Sequence, residues 1–251
     1  MSYSRAASGT LKSVLSLCLA LSTTITPVLS APTQAATSNP WIPRSLKSLF
    51  EPRQATCSGS GILLTNSGAT KSFSFYTNAD YTRTLLQSIT VDSGDTQFVS
   101  LASGWSGTVQ RGDFLPATWV ELNMAGTAWG DVSLQQGCDG GATLSSTTDG
   151  TSQGFSENIN DNPDIPAGAL FNPATEGTPC YGGQCTTSAT NVLDTTAGNY
   201  WGPANAATSN YIMEKLGGQT AALQKAFIGT ADSNTTPQVT SSNNCMAVTF
   251  Y

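Results

Sequence analysis

The chain reads Ala117-Thr-Trp-Val-Glu-Leu-Asn123, then five residues, then Trp129-Gly-Asp-Val-Ser-Leu134. Both segments alternate apolar with polar side chains, and a glycine lies in the connection, which together are typical of a β-hairpin. If Asn123 faces Trp129 across that connection, paired positions sum to 252 and Glu121 lies opposite Asp131. A one-residue error in the length of the connection would separate these two carboxylates.

The same register divides the hairpin into two faces. One face is suited to a core and carries Val120, Leu122, Val132 and Leu134. The other carries Trp119, Glu121, Asn123, Trp129, Asp131 and Ser133. Like charges directly opposite each other disfavour strand pairing by about 0.2–1 kcal/mol. A sequence selected only for stability would rarely contain that pair, so this face is our first candidate for a site.

Two simpler interpretations of this face stay open. Surface carboxylates are common and mostly inert, so Glu121 and Asp131 can belong to a solvated sheet face. The indoles of Trp119 and Trp129 can stack on sugar rings, or loops can cover them as a second small core.

The N-terminal region predicts export rather than a folded domain. Residues 1–30 have the pattern of a secretory signal peptide, with Arg5 and Lys12 before an apolar run that ends at Leu21. Residues 31–53 are rich in Pro, Ser and Thr, which is typical of a linker or removable leader. The folded domain is expected to span residues 54–251. Because the apolar run is too short to cross a bilayer, we expect a secreted protein, extracellular or bound to a cell wall, without a membrane span.

Charge and residue usage exclude several classes of function. From Gln54 onward, five basic residues stand against fifteen acidic ones, a formal charge of −10. That balance argues against nucleic acid or an anionic membrane as a partner. The chain contains no histidine, which excludes Ser-His-Asp and Cys-His catalysis and His-ligated zinc or copper. Carboxylates are therefore the expected acid and base, and no metal or cofactor is expected.

Strand signals are dense between residues 57 and 144 and have no alternating helices between them, which predicts an all-β fold with an antiparallel sandwich or barrel. The predicted strands are Gly61–Thr65, Lys71–Tyr76, Thr84–Val91, Gln97–Leu101, the two hairpin segments and the terminal strand Met246–Tyr251. Residues 145–237 predict a long loop region with one or two short helices, at Pro203–Leu216 and Gln219–Ile228.

Five cysteines follow the leader: Cys57, Cys138, Cys180, Cys185 and Cys245. A secreted chain should hold most of them oxidised. Our preferred pairs are Cys57 with Cys245 and Cys180 with Cys185, although the sequence permits fifteen two-bridge arrangements. The protein is then expected to be a monomer, unless the remaining Cys138 pairs between chains.

Three residue strings resemble those of the thaumatin-like, or osmotin-like, family. They are Ser93-Gly94 followed by Gly104-Trp-Ser-Gly107 and Arg111, then Pro116-Ala-Thr-Trp-Val-Glu-Leu122, then Gly130-Asp-Val-Ser-Leu134 with Gly137. The strand beside Cys245 is similar too. The chain has fewer cysteines than this family usually has, so it resembles a divergent, cysteine-poor member.

The resemblance implies a β-sandwich with an acidic cleft that binds β-1,3-glucan and has weak endo-glucanase activity. By motif, Arg111, Glu121 and Asp131 match members of that cleft. Gln136 stands where the family usually has an Asp, and the last Asp is not placed, with Asp139 and Asp232 as candidates.

The resulting hypothesis is a cell-wall polysaccharide-binding protein, with β-glucan as ligand. Glu121 and Asp131 are the candidate acid and base, since two close carboxylates push one pKa upward, as a general acid requires. The candidate contacts to the sugar are Arg111, Trp119, Asn123, Trp129, Ser133 and Gln136. Gln136 in place of an Asp favours binding over turnover. The alternative is a non-catalytic secreted interaction or effector protein that keeps only the fold.

Overall fold

The computed structural model describes residues 55–79, 82–181, 184–186, 191–197, 203–229 and 236–251. The signal peptide and leader expected over residues 1–53 lie outside the described residues. Among the described helices, none is both long and apolar enough to cross a membrane.

The domain is mostly β, with strands arranged in two large sheets and one small one. The five-stranded sheet has the order β4-β1-β13-β8-β9, the six-stranded sheet has the order β12-β7-β6-β5-β2-β3, and β10 pairs with β11. The strands are β1 Gly61–Asn66, β2 Lys71–Ala79, β3 Thr82–Val91, β4 Thr96–Ser100, β5 Ser106–Arg111, β6 Trp119–Ala125, β7 Thr127–Ser133, β8 Ala142–Ser146, β9 Ser152–Phe155, β10 Cys180–Tyr181, β11 Gln184–Cys185, β12 Val239–Ser241 and β13 Cys245–Phe250.

One apolar core joins the two large sheets. Ile62 and Leu64 of β1 and Val248 of β13 meet side chains of β2, β6 and β7 in one buried cluster. The rings of Phe73 and Phe250 pack across it with centroids 5.1 Å apart. Each fully buried side chain of this size contributes about 1.5–3 kcal/mol relative to exposure. The predicted all-β, sandwich-like class is therefore confirmed.

The two ends of the domain are joined both by backbone pairing and covalently. β1 runs parallel to β13, in register from Gly61 with Cys245 to Asn66 with Phe250. The expected disulfide between Cys57 and Cys245 is present. Because β1 and β13 run in the same direction while the other neighbouring strands run in opposite directions, the five-stranded sheet is mixed and not purely antiparallel as predicted.

Six of the described strands were not predicted: β5, β8, β9 and β12 in the two large sheets, and the two-residue strands β10 and β11. Their residues are mostly small or polar, and side chains such as Ser146 and Gln153 are buried within the fold. Strand prediction from alternation needs apolar side chains on the buried face, and here several buried positions are polar. Part of the region predicted as long loops therefore extends the five-stranded sheet.

The described residues form three short α-helices between the strands: α1 Pro173–Glu176, α2 Ala206–Lys215 and α3 Gln219–Lys225. The two predicted helices are confirmed, with shorter bounds. α2 begins after Asn205, whose side chain accepts hydrogen bonds from the backbone of Ala207 and Thr208. Pro203 was predicted at the first helical position, but the capping asparagine starts the helix.

Candidate functional site

The β6–β7 hairpin has the predicted register. Glu121 pairs with Asp131, and Asn123 pairs with Trp129. The strands extend further than expected, to Ala125 and Thr127, so that Gly126 alone connects them. Gly126 has a φ of +85°, a backbone conformation that glycine adopts without steric cost. The additional pairs, Met124 with Ala128 and Ala125 with Thr127, keep the same register, so the two carboxylates remain opposite each other.

The two faces of the hairpin also follow the prediction. Val120, Leu122, Val132 and Leu134 are buried in the main core. We call the opposite side the polar face and define it by Trp119, Glu121, Asn123, Trp129, Asp131 and Ser133 on the hairpin, with Thr108 on β5. Thr108 is included because it pairs with Glu121 across the β5–β6 ladder.

A single row of paired residues crosses the sheet at the carboxylates. Asp131 pairs with Glu121, Glu121 with Thr108, and Thr108 with Tyr76 on β2. Directly opposite strand positions place their Cβ atoms about 4.5–5.5 Å apart. On the outer side of β7, Gln238 forms a side-chain hydrogen bond with Asp131. The pair therefore has amide, hydroxyl and phenol neighbours along the row.

The two carboxyl groups resist ionisation. Burial, with a smaller contribution from Asp131, raises the pKa of Glu121 to about 7. Burial also raises the pKa of Asp131 to about 6, although the hydrogen bond with Gln238 lowers it in part. Neither pKa receives a contribution from a Lys or Arg. Near neutral pH, the pair therefore holds a proton far more readily than ordinary surface carboxylates do.

Several oxygens on the polar face lack hydrogen-bond partners. They are the Thr108 hydroxyl, Asn123 Oδ1, Asp131 Oδ1 and the Ser133 hydroxyl, and each of these atoms is buried. Buried polar atoms in native proteins are nearly always satisfied by protein, water or a bound group. Their position around Glu121 indicates that this face is built to receive hydrogen bonds from something other than the described protein.

The polar face is closed at one end and open at the other. Trp119 is 1% exposed and packs with Leu115, Ala117, Phe171 and Val192 in a second apolar cluster. Trp129, at the other end, is 39% exposed. Each interpretation of the indoles therefore applies to one tryptophan. Loops cover Trp119 as part of a second small core, while Trp129 remains accessible to a ligand. Ser133 lies at the closed end and is fully buried.

An arginine that the sequence did not single out lies at the closed side of this face. The Arg83 guanidinium lies 3.5 Å from the ring centroid of Tyr76 and 4.6 Å from that of Trp119. It also donates a hydrogen bond to Gln110 Oε1. Arg83 belongs to the edge strand β3, and no local pattern links it to Trp119. Only its pairing through β2 brings the three side chains together.

Arg111 is not the neighbour of the carboxylate pair that the resemblance suggested. Its guanidinium forms an ion pair with Asp139 at 3.0 Å and donates to the backbone carbonyl of Gly141. It also lies 5.0 Å from the ring centroid of Phe250, which belongs to the core between the sheets. Side chains alternate along β5, so Arg111 and Thr108 project to opposite faces. This placement corrects the expectation and also explains Asp139, which approaches Arg111 and not Glu121.

The remaining expected residues lie away from the open end. Gln136 is buried in the turn after β7, where its backbone carbonyl accepts from Ala117. Asp232 lies outside the described residues. Cys138 is free and fully buried, so a bridge from Cys138 to a second chain would require it to become exposed. Cys180 is disulfide-bonded, and its backbone pairs with that of Cys185.

No protein-family model matches the chain, and no curated protein matches it. Among solved structures, the chain is similar to the protein elicitor MoHrip2 from Magnaporthe oryzae, with 12% identity and a TM-score of 0.28. The match covers 40% of this chain and 79% of that one. Because the TM-score is below 0.5, this likeness carries no argument about fold or function.

Proposed function

We propose that this chain is a secreted protein of the thaumatin-like type that binds cell-wall polysaccharide through its polar face, with β-1,3-glucan as ligand. The observation that carries the proposal is the pair Glu121 and Asp131, half-buried and buried respectively, on a face that opens at Trp129. The sequence strings that resemble the thaumatin-like family supply the substrate class, and the signal-peptide pattern of residues 1–30 supplies the expectation of secretion.

The open end of the polar face has the chemistry of a sugar site. The exposed indole of Trp129 offers an apolar surface for a sugar ring. Asn123 pairs with Trp129 and has an unpartnered amide oxygen, which can accept from a sugar hydroxyl. An aromatic surface beside a few polar groups is the usual composition of small-ligand sites.

A second candidate function is slow hydrolysis at the same pair. A carboxyl group with a pKa of about 7, as burial gives Glu121, is protonated often enough near neutral pH to act as general acid. Asp131, with the lower pKa of about 6, is the group that ionises first and would stabilise or attack the oxocarbenium-like centre. Gln136 in place of a family Asp still favours binding over turnover.

Binding and hydrolysis can be measured in one experiment. The protein is incubated with insoluble β-1,3-glucan, the retained fraction is measured, and released reducing sugar is then assayed. Glu121→Gln should lower both retention and any sugar release. Glu214→Gln is the matched control, because Glu214 is an exposed helix residue whose substitution removes the same charge.

Each outcome separates the alternatives. Retention without sugar release supports a binding protein. Release that Glu121→Gln leaves unchanged contradicts the catalytic assignment. Absence of retention on any cell-wall polysaccharide favours the alternative, a secreted interaction protein that keeps only the fold.

A further inference from the structure

The carboxylate pair has no counter-charge among the residues that the structure describes. All five basic residues that follow Gln54 are described, and none forms an ion pair with Glu121 or Asp131. Arg83, at the closed side of this face, instead stacks on Tyr76 and Trp119. Arg111 and Lys225 have ion-pair partners elsewhere, in Asp139 and Glu157. Two neighbouring carboxylates, one half-buried and one buried, are costly to ionise together when no cation pairs with them. The pair therefore either keeps a proton or receives a positive charge from outside the protein.

Unpartnered acceptors surround the pair and point to a donor. Thr108 is 0% exposed and projects to the same side as Glu121, and its hydroxyl has no hydrogen-bond partner among the described residues. Asp131 is 8% exposed, and its Oδ1 also has no partner. The amide oxygen of Asn123, two pairs along the ladder and on the same face, is likewise without a partner. These unpartnered oxygens are a second observation beside the missing ion-pair partner. A group that donates several hydrogen bonds satisfies them.

We infer that the polar face selects polysaccharides that carry protonated amines, such as the glucosamine units of de-N-acetylated chitin, above neutral glucans. An ammonium group has three donors and no acceptor, which matches oxygens that lack donors. Its charge compensates the carboxylates, and charge-assisted hydrogen bonds are about twice as strong as neutral ones. A neutral sugar hydroxyl satisfies an acceptor but leaves the paired charges uncompensated.

Trp129 extends the same site toward solvent. It pairs with Asn123, one position of the polar face beyond Glu121, and its ring is accessible. An amino sugar that donates its ammonium to Glu121 and Asp131 can therefore continue along the face to an indole, which attracts cations and packs on sugar rings.

The inference rests on the proposal that this face binds polysaccharide, and its test separates the two. Calorimetric titration at pH 7 and about 0.15 M ionic strength compares three tetrasaccharides. They are glucosamine tetramer with free amines, the same tetramer fully N-acetylated, and a β-1,3-glucose tetramer. The first two differ only in the amine, so their affinity ratio measures its contribution.

We expect the free-amine tetramer to bind at least about tenfold more tightly than either neutral one. Glu121→Gln and Asp131→Asn should each remove most of that preference. Asp95→Asn is the matched control, because it removes one charge at an exposed turn and should preserve the preference. If Asp95→Asn lowered the affinity as much as Glu121→Gln, the attraction would be to net charge alone and the inference would be overturned.

The other outcomes are equally decisive. Equal affinity for all three tetramers overturns the inference and leaves the proposed function intact. Absence of binding by any of them contradicts both. Calcium binding that is lost in Glu121→Gln, without binding of the free-amine tetramer, would assign the unpartnered oxygens to a metal ion and overturn the inference.

Discussion

Glu121 and Asp131 lie directly opposite each other on adjacent strands, at the point where the polar face changes from covered to open. The fold places both carboxyl groups where burial opposes their ionisation. This arrangement lowers stability at neutral pH, as is common at functional sites.

Glu121→Gln should stabilise the protein at pH 8 by about 1–3 kcal/mol. The folded-state pKa of Glu121, about 7, lies above its ordinary value, so the folded state binds the proton more tightly than the unfolded state. That contribution to stability is fully present below the unfolded pKa and is lost as the pH rises through 7. The difference between variant and wild type should therefore vanish near pH 4. Urea denaturation from pH 4 to pH 8 measures it, with Glu214→Gln as control. A constant difference across this range would contradict the assigned burial of the carboxyl group.

Replacement by Ala should lower the free energy of unfolding much more at Trp119 than at Trp129. Trp119→Ala removes a fully buried side chain from the second apolar cluster and should cost about 3–5 kcal/mol of unfolding free energy. Trp129→Ala should cost much less, because its ring is partly exposed, yet it should reduce retention on polysaccharide. Chemical denaturation and the retention assay measure the two effects. Equal retention of Trp129→Ala and wild type would exclude the indole from the ligand site.

Arg83→Ala should destabilise the protein by about 2–4 kcal/mol. The substitution removes the guanidinium that lies against Tyr76 and Trp119 and its hydrogen bond to Gln110. Arg83→Lys keeps the charge but not the planar stacking, so an intermediate loss is expected. Leu86→Ala, at an exposed position of the same strand, is the control and should change stability by less than about 0.5 kcal/mol. Denaturation followed by tryptophan fluorescence measures all three, and a neutral Arg83→Ala would show that the stacked arginine is not structural.

Loss of the Cys57–Cys245 bridge should lower the free energy of unfolding by about 2–5 kcal/mol. The bridge closes a sequence separation of 188 residues, so its removal gives the unfolded chain much more freedom. Cys57→Ser alone should be nearly as destabilised as the double variant with Cys245→Ser, since either change removes the same bond. Guanidinium denaturation without reductant measures this. A single variant as stable as wild type would mean that the parallel β1–β13 pairing holds the ends without the bridge.

The sequence by itself determined the hairpin, its register and the all-β class. Alternation along residues 117–134 defined which side chains face the core, and the length of the connection placed Glu121 opposite Asp131. These features depend on neighbours in the chain, so local patterns predict them. The position of Cys57 and Cys245 near the two ends of the domain also made their pairing the natural choice.

The tertiary structure alone decided the surroundings of that pair. The stacking of Arg83 against Trp119, the pairing of Arg111 with Asp139 and the cover over Trp119 all join residues far apart in sequence. The parallel pairing of β1 with β13 is equally nonlocal. Such contacts depend on how the sheets and loops pack, and no periodicity in the sequence encodes them. The sequence therefore identified the two carboxylates. Only the fold showed that burial opposes their ionisation, that no described Lys or Arg forms an ion pair with them, and that their face opens to solvent at Trp129.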